Sequence, residues 1–142
     1  MNIFVLDKDS RIAASMHNNK HVIKMILESA QLLGNAVMYH GGYSKYAATH
    51  MNHPCSIWAR TSKENWVWLS ELMLNLNEEY KRRYNKTEDH KSVKMFKTTL
   101  LKQRHLLPDG KLTEFVQCMP EQYKSDSVVE SYRKYYEAEK NF

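Results

Sequence analysis

The stretch HNNKHVIKMILESAQLL, residues 17–33, decides which fold this sequence predicts. Its apolar residues recur at spacings of three and four and cover well over half of a helical circumference. A helix with so little polar surface must pack against neighbours on several sides. We therefore expect this segment to form the central helix of an all-α, compact helical bundle.

Capping and breaking signals set the expected bounds of the helices. The central element is expected over residues 10–33 with a break near Asn18 and Asn19, and Gly34 followed by Asn35 is typical of a helix end. Residues 39–53 lack a sustained period and are predicted to be a loop. Further helices are expected at 54–60, at about 62–84 behind a capping box of Thr61 and Glu64, at 91–106, and after an N-cap at Asp126.

The length of 142 residues suits one domain, so residues 1–142 are predicted to be a single helical domain. Four glycines and three prolines argue against sandwiches and barrels, which need many turns. The apolar run Ile3–Leu6 is either a buried strand or an extended N-terminal arm, and periodicity does not separate the two.

Composition indicates the compartment and the partners. No window approaches the roughly 20 apolar residues of a membrane span, no signal peptide is recognisable, and the two cysteines lack CxxC spacing. A cytoplasmic location without membrane anchoring is expected. The net charge of +5 leans toward polyanionic partners, so a nucleic acid or nucleotide is the expected partner and a host protein is the alternative.

A polar stripe on the central helix is the most informative functional signal. His17, His21, Lys24, Glu28 and Gln31 follow one another in steps of four, three, four and three, which places them on one face roughly 80° wide. Either the stripe is the solvated edge of a partly buried helix or it lines a cleft. Two histidines beside a lysine and a glutamate are an unusual choice for solubility alone.

These residue types suit acid/base chemistry without a cofactor. Glu28 would act as base or charge stabiliser, His17 or His21 would transfer protons, and Lys24 or the N-terminal amine would be the nucleophile. Such an amine attacks a sugar C1′ or a carbonyl and forms a Schiff base. The structural alternative for Lys24 and Glu28 is an i, i+4 ion pair worth tenths of a kcal/mol.

A second group of candidate residues follows the loop. Asn52, His53, Trp58 and Arg60 combine hydrogen-bonding groups, a flat ring and a fixed positive charge, which suits a base or a phosphate. Together with Gln31 they are the predicted substrate-binding residues. Tryptophans are more often core residues than stacking platforms.

A metal site is the third possibility. His17 and His21 have the i, i+4 spacing that lets both rings reach one ion, with His50 or His53 as a further ligand. Nearby lysines oppose a cation, and the glutamate that follows the first histidine in zinc proteases is missing. No metal or other cofactor is therefore predicted, and a metal-dependent nucleotide hydrolase remains an alternative.

With these residues laid out, the chain resembles a family of small tailed-phage proteins that have no assigned activity. The resemblance covers nearly the whole chain, and the usual Cys-Asp after the first histidine is Asn18-Asn19 here. It is carried by MNIFVLD at 1–7, the pattern H..KH..KMI.E..QLL from His17, NHP..IW.R from Asn52, Met119-Pro120, and Tyr132-Arg133 with Tyr135-Tyr136.

The first 30 residues also resemble, more faintly, the phage pyrimidine-dimer DNA glycosylases. That resemblance implies a small basic helical enzyme that attacks with its N-terminal amine and uses a histidine and a glutamate of its first long helix. His17 matches the histidine, and Glu28 corresponds to the glutamate at a different spacing. The glycosylases expose a threonine amine, whereas the large residue Asn2 normally leaves Met1 in place.

The sequence thus predicts an enzyme that acts on DNA or a nucleotide by glycosylase- or lyase-like base chemistry. His17, His21, Lys24 and Glu28 would be catalytic. The rival prediction, from another class, is a non-enzymatic phage accessory protein that binds a host protein or nucleic acid through the polar stripe.

Overall fold

The computed structural model of the protein describes residues 1–140 and confirms the all-α prediction. No β-strand occurs within these residues. The α-helices are α1 (Ser10–Ser15), α2 (Asn19–Tyr39), α3 (Pro54–Thr61), α4 (Lys63–Arg83), α5 (Lys91–Met95) and α6 (Val128–Glu139). α5 continues as a π-helical turn, Phe96–Leu100, and a 3₁₀ turn, Leu101–Leu106, while a separate 3₁₀ turn spans Glu121–Tyr123.

α2 is the central helix, as its apolar circumference predicts. It packs against α3, α4 and α5. Val22, Ile26 and Leu33 are completely buried along it. The indole nitrogen of Trp66 on α4 donates to the carbonyl of Leu33 at 3.1 Å, which fixes the contact between the two long helices. None of the described helices combines the length and the apolarity needed to cross a membrane.

The N-terminal segment is an extended arm rather than a strand. Ile3–Leu6 is buried in the bundle, with exposures between 1% and 4%, and it pairs with no strand in the described part of the chain. The guanidinium of Arg133 on α6 donates to the carbonyl of Leu6 at 2.7 Å. This threading carries Met1 into the interior, beside α2.

α2 runs past the predicted end at Gly34, so that expectation was wrong. A Cβ on Gly34 would lie 2.6 Å from the hydroxyl oxygen of Ser44, so the glycine permits the close approach of the 40–53 loop. Asn35 then binds that loop: its Oδ1 accepts from the amide of Thr49 at 3.2 Å, and its Nδ2 donates to the carbonyl of the same residue. Both residues have packing roles within the helix.

The predicted helix break is confirmed, whereas two predicted N-caps are wrong. Asn18 caps α2, since its side chain accepts from the amide of His21 at 2.9 Å, and the predicted break at this point is confirmed. The predicted capping box was wrong, because Ser62 rather than Thr61 caps α4 and Glu64 accepts instead from the amide of Leu112 at 2.8 Å. Similarly, Ser127 and not Asp126 caps α6.

Candidate functional site

The polar stripe is shorter than the sequence suggests. His17 lies in the turn between α1 and α2, ahead of the helix, so it is not part of the stripe. His21, Lys24, Glu28 and Gln31 share one face of α2, and their exposure differs along it: His21 is buried, Glu28 and Gln31 are half-buried, and Lys24 is exposed. The stripe is therefore neither a fully solvated edge nor a sealed interior.

The N-terminal arm and α6 close over this face and leave a small cavity of about 130 Å³, which we call the amine pocket. Its defining polar group is the α-amine of Met1, whose nitrogen lies 3.8 Å from Oε1 of Glu28. The two side chains are 4% and 13% exposed. The other lining residues are Asn2, Phe4, His21, Lys24, Met25, Tyr135 and Lys140.

Glu28 faces two positive groups. Its Oε2 lies 3.8 Å from Nζ of Lys24, whose side chain is 66% exposed, while Oε1 faces the amine of Met1. At 3.8 Å neither pair forms a close hydrogen bond, because N–H···O bonds lie between about 2.7 and 3.2 Å. A ligand atom placed between the amine of Met1 and the carboxylate of Glu28 would lie within hydrogen-bonding distance of both groups.

His21 forms one wall of the amine pocket as a neutral ring. Burial, with contributions from the charges of Lys24 and Lys140, lowers the pKa of His21 to about 4. Its Nδ1 lies 2.9 Å from the hydroxyl of Tyr136, and its ring stacks on Phe4 with centroids 4.8 Å apart. The ring is thereby held in one orientation and is uncharged near neutral pH.

His17 is buried behind this wall and does not line the pocket. Its Nδ1 donates to the carbonyl of Ala13 at 2.7 Å, while Nε2 has no hydrogen-bond partner among residues 1–140. Burial lowers the pKa of His17 to about 4, although the bond to Ala13 opposes the shift. The edge of His17 meets Phe4 at 6.0 Å between centroids, so it supports the pocket from outside.

None of the predicted substrate-binding residues lines the amine pocket; these residues are Gln31, Asn52, His53, Trp58 and Arg60. His53 lies close enough to the pocket for the charges of Met1 and Glu28 to act on it. Burial and the ammonium of Met1 lower the pKa of His53, and Glu28 acts in the opposite direction. Asn52 is exposed on the loop. Trp58 is 3% exposed, donates to the carbonyl of Glu114 and stacks on Phe115. Trp58 therefore occupies a core position.

Arg60 is engaged at the far end of α2. Its guanidinium lies 4.0 Å from the centroid of the Tyr39 ring and donates to the carbonyl of Met51. Tyr39 is the last residue of α2, whereas Glu28 lies three turns earlier. The structure therefore brings together Met1, His21, Lys24 and Glu28, with His53 nearby, and it does not bring Arg60 or Trp58 into that group.

Asn2 connects the pocket to a pair of thiols. Its Nδ2 donates to the carbonyl of Cys118 at 2.8 Å, and its Oδ1 accepts from the amide of Ile3 at 2.8 Å. The sulfurs of Cys55 and Cys118 lie 3.7 Å apart. The hydrogen bond between the thiols lowers the pKa of Cys118 to about 7, and the same bond with burial raises the pKa of Cys55.

Several residues that build the pocket carry no signal in the sequence. Phe4 belongs to a run that could be read only as apolar, and the spacing of Tyr135 and Tyr136 in α6 indicates core positions. They join the site because the arm and α6 fold over α2. The hydroxyl of Tyr136 forms a hydrogen bond with His21 and also accepts from the amide of Asn18 at 2.8 Å.

Comparisons of the chain with family models, with curated proteins and with solved structures found no match. The amine pocket is therefore the feature of the molecule that bears most directly on function.

Proposed function

We propose that the protein is a DNA-directed enzyme that uses the α-amine of Met1 as a nucleophile and Glu28 as its proton acceptor. The observation that supports this most directly is the 3.8 Å approach of the amine of Met1 to Glu28, whose side chains are 4% and 13% exposed. A buried charge pair is weak evidence for stability, because desolvation offsets much of the attraction. A carboxylate that takes the proton of a neighbouring amine, with space beside them for a substrate, suits nucleophilic amine catalysis.

The chemistry can be written with its atoms balanced. The amine nitrogen bonds to C1′ of a deoxyribose, the glycosidic bond breaks, and the leaving base takes the proton that Glu28 receives from the amine. The sugar ring then opens: the C1′–O4′ bond breaks, O4′ takes the second proton of the amine nitrogen, and an imine forms between Met1 and C1′. At an abasic site the free aldehyde gives the same imine directly, with loss of water. The amine of Met1 is favoured over Lys24 because the Met1 side chain is 4% exposed at the pocket, whereas that of Lys24 is 66% exposed.

The dimensions of the pocket favour a polymeric substrate over a free nucleotide. Sites that enclose a whole small ligand typically measure about 300–1,000 Å³, whereas the amine pocket measures about 130 Å³. One sugar-sized group fits, and the rest of the substrate must remain outside. Lys24 and Lys140 at the rim are suitably placed for the flanking phosphates, and the net charge of +5 acts in the same direction.

The proposal is tested by reductive trapping. The protein is incubated with duplex DNA that carries one abasic site, with and without borohydride, and the products are separated under denaturing conditions. Reduction converts the imine to a stable secondary amine, so a covalent protein–DNA species is expected. DNA with a tetrahydrofuran analogue, which has no aldehyde, controls for non-covalent retention.

Matched variants locate the nucleophile. Adding Gly-Ser-Gly before Met1 displaces the α-amine from Glu28 and is expected to abolish trapping, whereas the same tripeptide added after Phe142 leaves it intact. Lys24→Ala keeps the α-amine and should still be trapped. Trapping that persists in the N-terminally extended protein and disappears in Lys24→Ala would refute the assignment to Met1. Binding of DNA without any adduct would favour the non-enzymatic accessory protein.

A further inference from the structure

Outside the amine pocket, one cluster of potential ligands involves residues that are distant in sequence. A ring nitrogen of His53 and the sulfurs of Cys55 and Cys118 all lie within 4.8 Å of one another. Cys55 is buried and Cys118 is half-buried. We infer that His53, Cys55 and Cys118 form a binding site for a thiophilic divalent cation of the zinc class.

The sulfur separation fits tetrahedral coordination. With Zn–S bonds of about 2.3 Å, the edge of a tetrahedron between two thiolates is about 3.8 Å. The observed separation of Cys55 and Cys118 is 3.7 Å. A disulfide instead requires about 2.0 Å between sulfurs, so the two side chains would have to move closer. Imidazole and thiolate are the donor set that zinc and its substitute cobalt prefer.

Both cysteines are held in place independently of any cation. Cys55 belongs to the first turn of α3. The backbone of Cys118 is fixed on both sides, since its amide donates to the hydroxyl of Tyr132 at 3.1 Å and its carbonyl accepts from Asn2 at 2.8 Å. That hydroxyl also lies 2.9 Å from Oδ1 of Asn2, which closes the network. Preorganised ligands lose little freedom when an ion binds.

His53 is the ligand with a competing role. It is the N-cap of α3, where its Nδ1 accepts from the amide of Cys55 at 3.0 Å. A cation binds the neutral ring, in which one nitrogen carries the proton and only the other has a free lone pair. Nδ1 therefore cannot accept from the amide of Cys55 while Nε2 binds the ion. The cap is therefore given up or shared, and we expect weaker binding than at a four-cysteine site.

The charges of the cluster balance when the ion is bound. Two thiols release their protons to solvent, and the resulting thiolates neutralise a divalent cation. Three protein ligands leave a fourth position for water, as in open zinc sites. The cluster lies beside the amine pocket, with Asn2 between them and His53 within reach of the charges of Met1 and Glu28. Binding of a cation needs neither the nucleophile nor the proton acceptor, so this inference does not depend on the proposed function.

The test is a cobalt titration of the reduced, metal-free protein in a non-thiol reductant. Co²⁺ bound to thiolate gives a sulfur-to-metal charge-transfer absorption, which should saturate at one ion per chain and disappear when Zn²⁺ is added. Cys118→Ser should abolish the band, and His53→Ala should weaken binding at least tenfold. His105→Ala is the matched control, since His105 is exposed and lies outside the cluster.

Circular dichroism confirms that each variant is folded, and Cys118→Ser is preferred to Cys55→Ser because Cys118 is less buried. The inference is overturned if the reduced protein shows no charge-transfer band, or if the band survives in Cys118→Ser. A mass two daltons below that of the reduced chain, with no cobalt binding after reduction, would identify the cysteines as a disulfide pair instead.

Discussion

The two halves of α2 use polar residues in opposite ways. In the second half, Asn35 is completely buried and its side chain is occupied by Thr49 and by the hydroxyl of Ser56 at 3.1 Å. In the first half, Glu28 faces an amine and an ammonium at 3.8 Å and borders a cavity. A polar group whose partners are backbone atoms holds the fold together. Glu28, by contrast, forms no close hydrogen bond with its charged neighbours and borders a cavity, so a substrate atom has room to approach it.

The largest expected effect is on the reactive half. Glu28→Gln keeps the shape of the side chain but removes the proton acceptor, and general-base groups contribute about 10²- to 10⁴-fold to rate. We expect trapping on abasic DNA to slow by at least 100-fold while the protein remains folded. Single-turnover trapping kinetics measure this change.

Glu71→Gln is the matched control for that variant, because Glu71 is exposed on α4. Equal trapping rates for Glu28→Gln and Glu71→Gln would remove the distinction drawn between the two halves of α2.

The buried histidines predict a loss of stability in acid. The pKa of His17 and of His21 is about 4 in the folded protein. Unfolded histidine has a pKa near 6.5, so the unfolded state binds more protons between these values and the free energy of unfolding falls as pH decreases from about 6.5 to 4. For His17 alone the loss is on the order of 3 kcal/mol.

Urea denaturation at pH 7.5, 5.5 and 4.5 measures this dependence. The His17→Phe variant should retain more of its stability at pH 4.5 than the wild type does. An identical pH dependence in the two proteins would show that His17 is not held neutral by burial.

The structural half is tested by Asn35→Ala. This change leaves the amide and the carbonyl of Thr49 without their partner, and an unsatisfied buried group costs about 1–3 kcal/mol. We expect a loss of about 2 kcal/mol in the free energy of unfolding, with trapping at 20–25 °C largely retained. Asn75→Ala is the control, because Asn75 has one bond, to Ser10 at 3.1 Å, and is half-buried.

The smallest effect is expected for the stability of Lys24→Ala. Lys24 is largely exposed and its pair with Glu28 is of the i, i+4 type, so the change should cost only a few tenths of a kcal/mol. A loss above about 1 kcal/mol in denaturant titrations would mean that the pair is structural and would weaken the contrast between the two halves.

Local patterns in the sequence predicted the local features. The apolar period of residues 17–33 predicted α2, and the break expected near Asn18 coincides with its start. The end of α2 was not predictable, because Gly34 is required by Ser44, a loop residue that approaches from ten positions away. The choice of Ser62 over Thr61 as the cap likewise depends on where α3 ends.

The candidate site was predictable in part for the same reason. His21, Lys24 and Glu28 share a helix face, so spacing alone places them together. The approach of Met1 to Glu28 depends on the arm threading through the bundle, and the convergence of Cys55 and Cys118 depends on Asn2 and Tyr132. Neither contact leaves a periodic trace in the sequence. Arg60, which is near His53 in the sequence, instead packs over the ring of Tyr39.

The most direct test of the central claim is to locate the reduced DNA adduct on the chain. After borohydride trapping, nuclease treatment and tryptic digestion, mass spectrometry should find the sugar remnant on the α-nitrogen of the peptide Met1–Lys8, as the pairing of this amine with Glu28 requires. A remnant found only on lysine side chains, or the same yield from the N-terminally extended protein, would contradict the account.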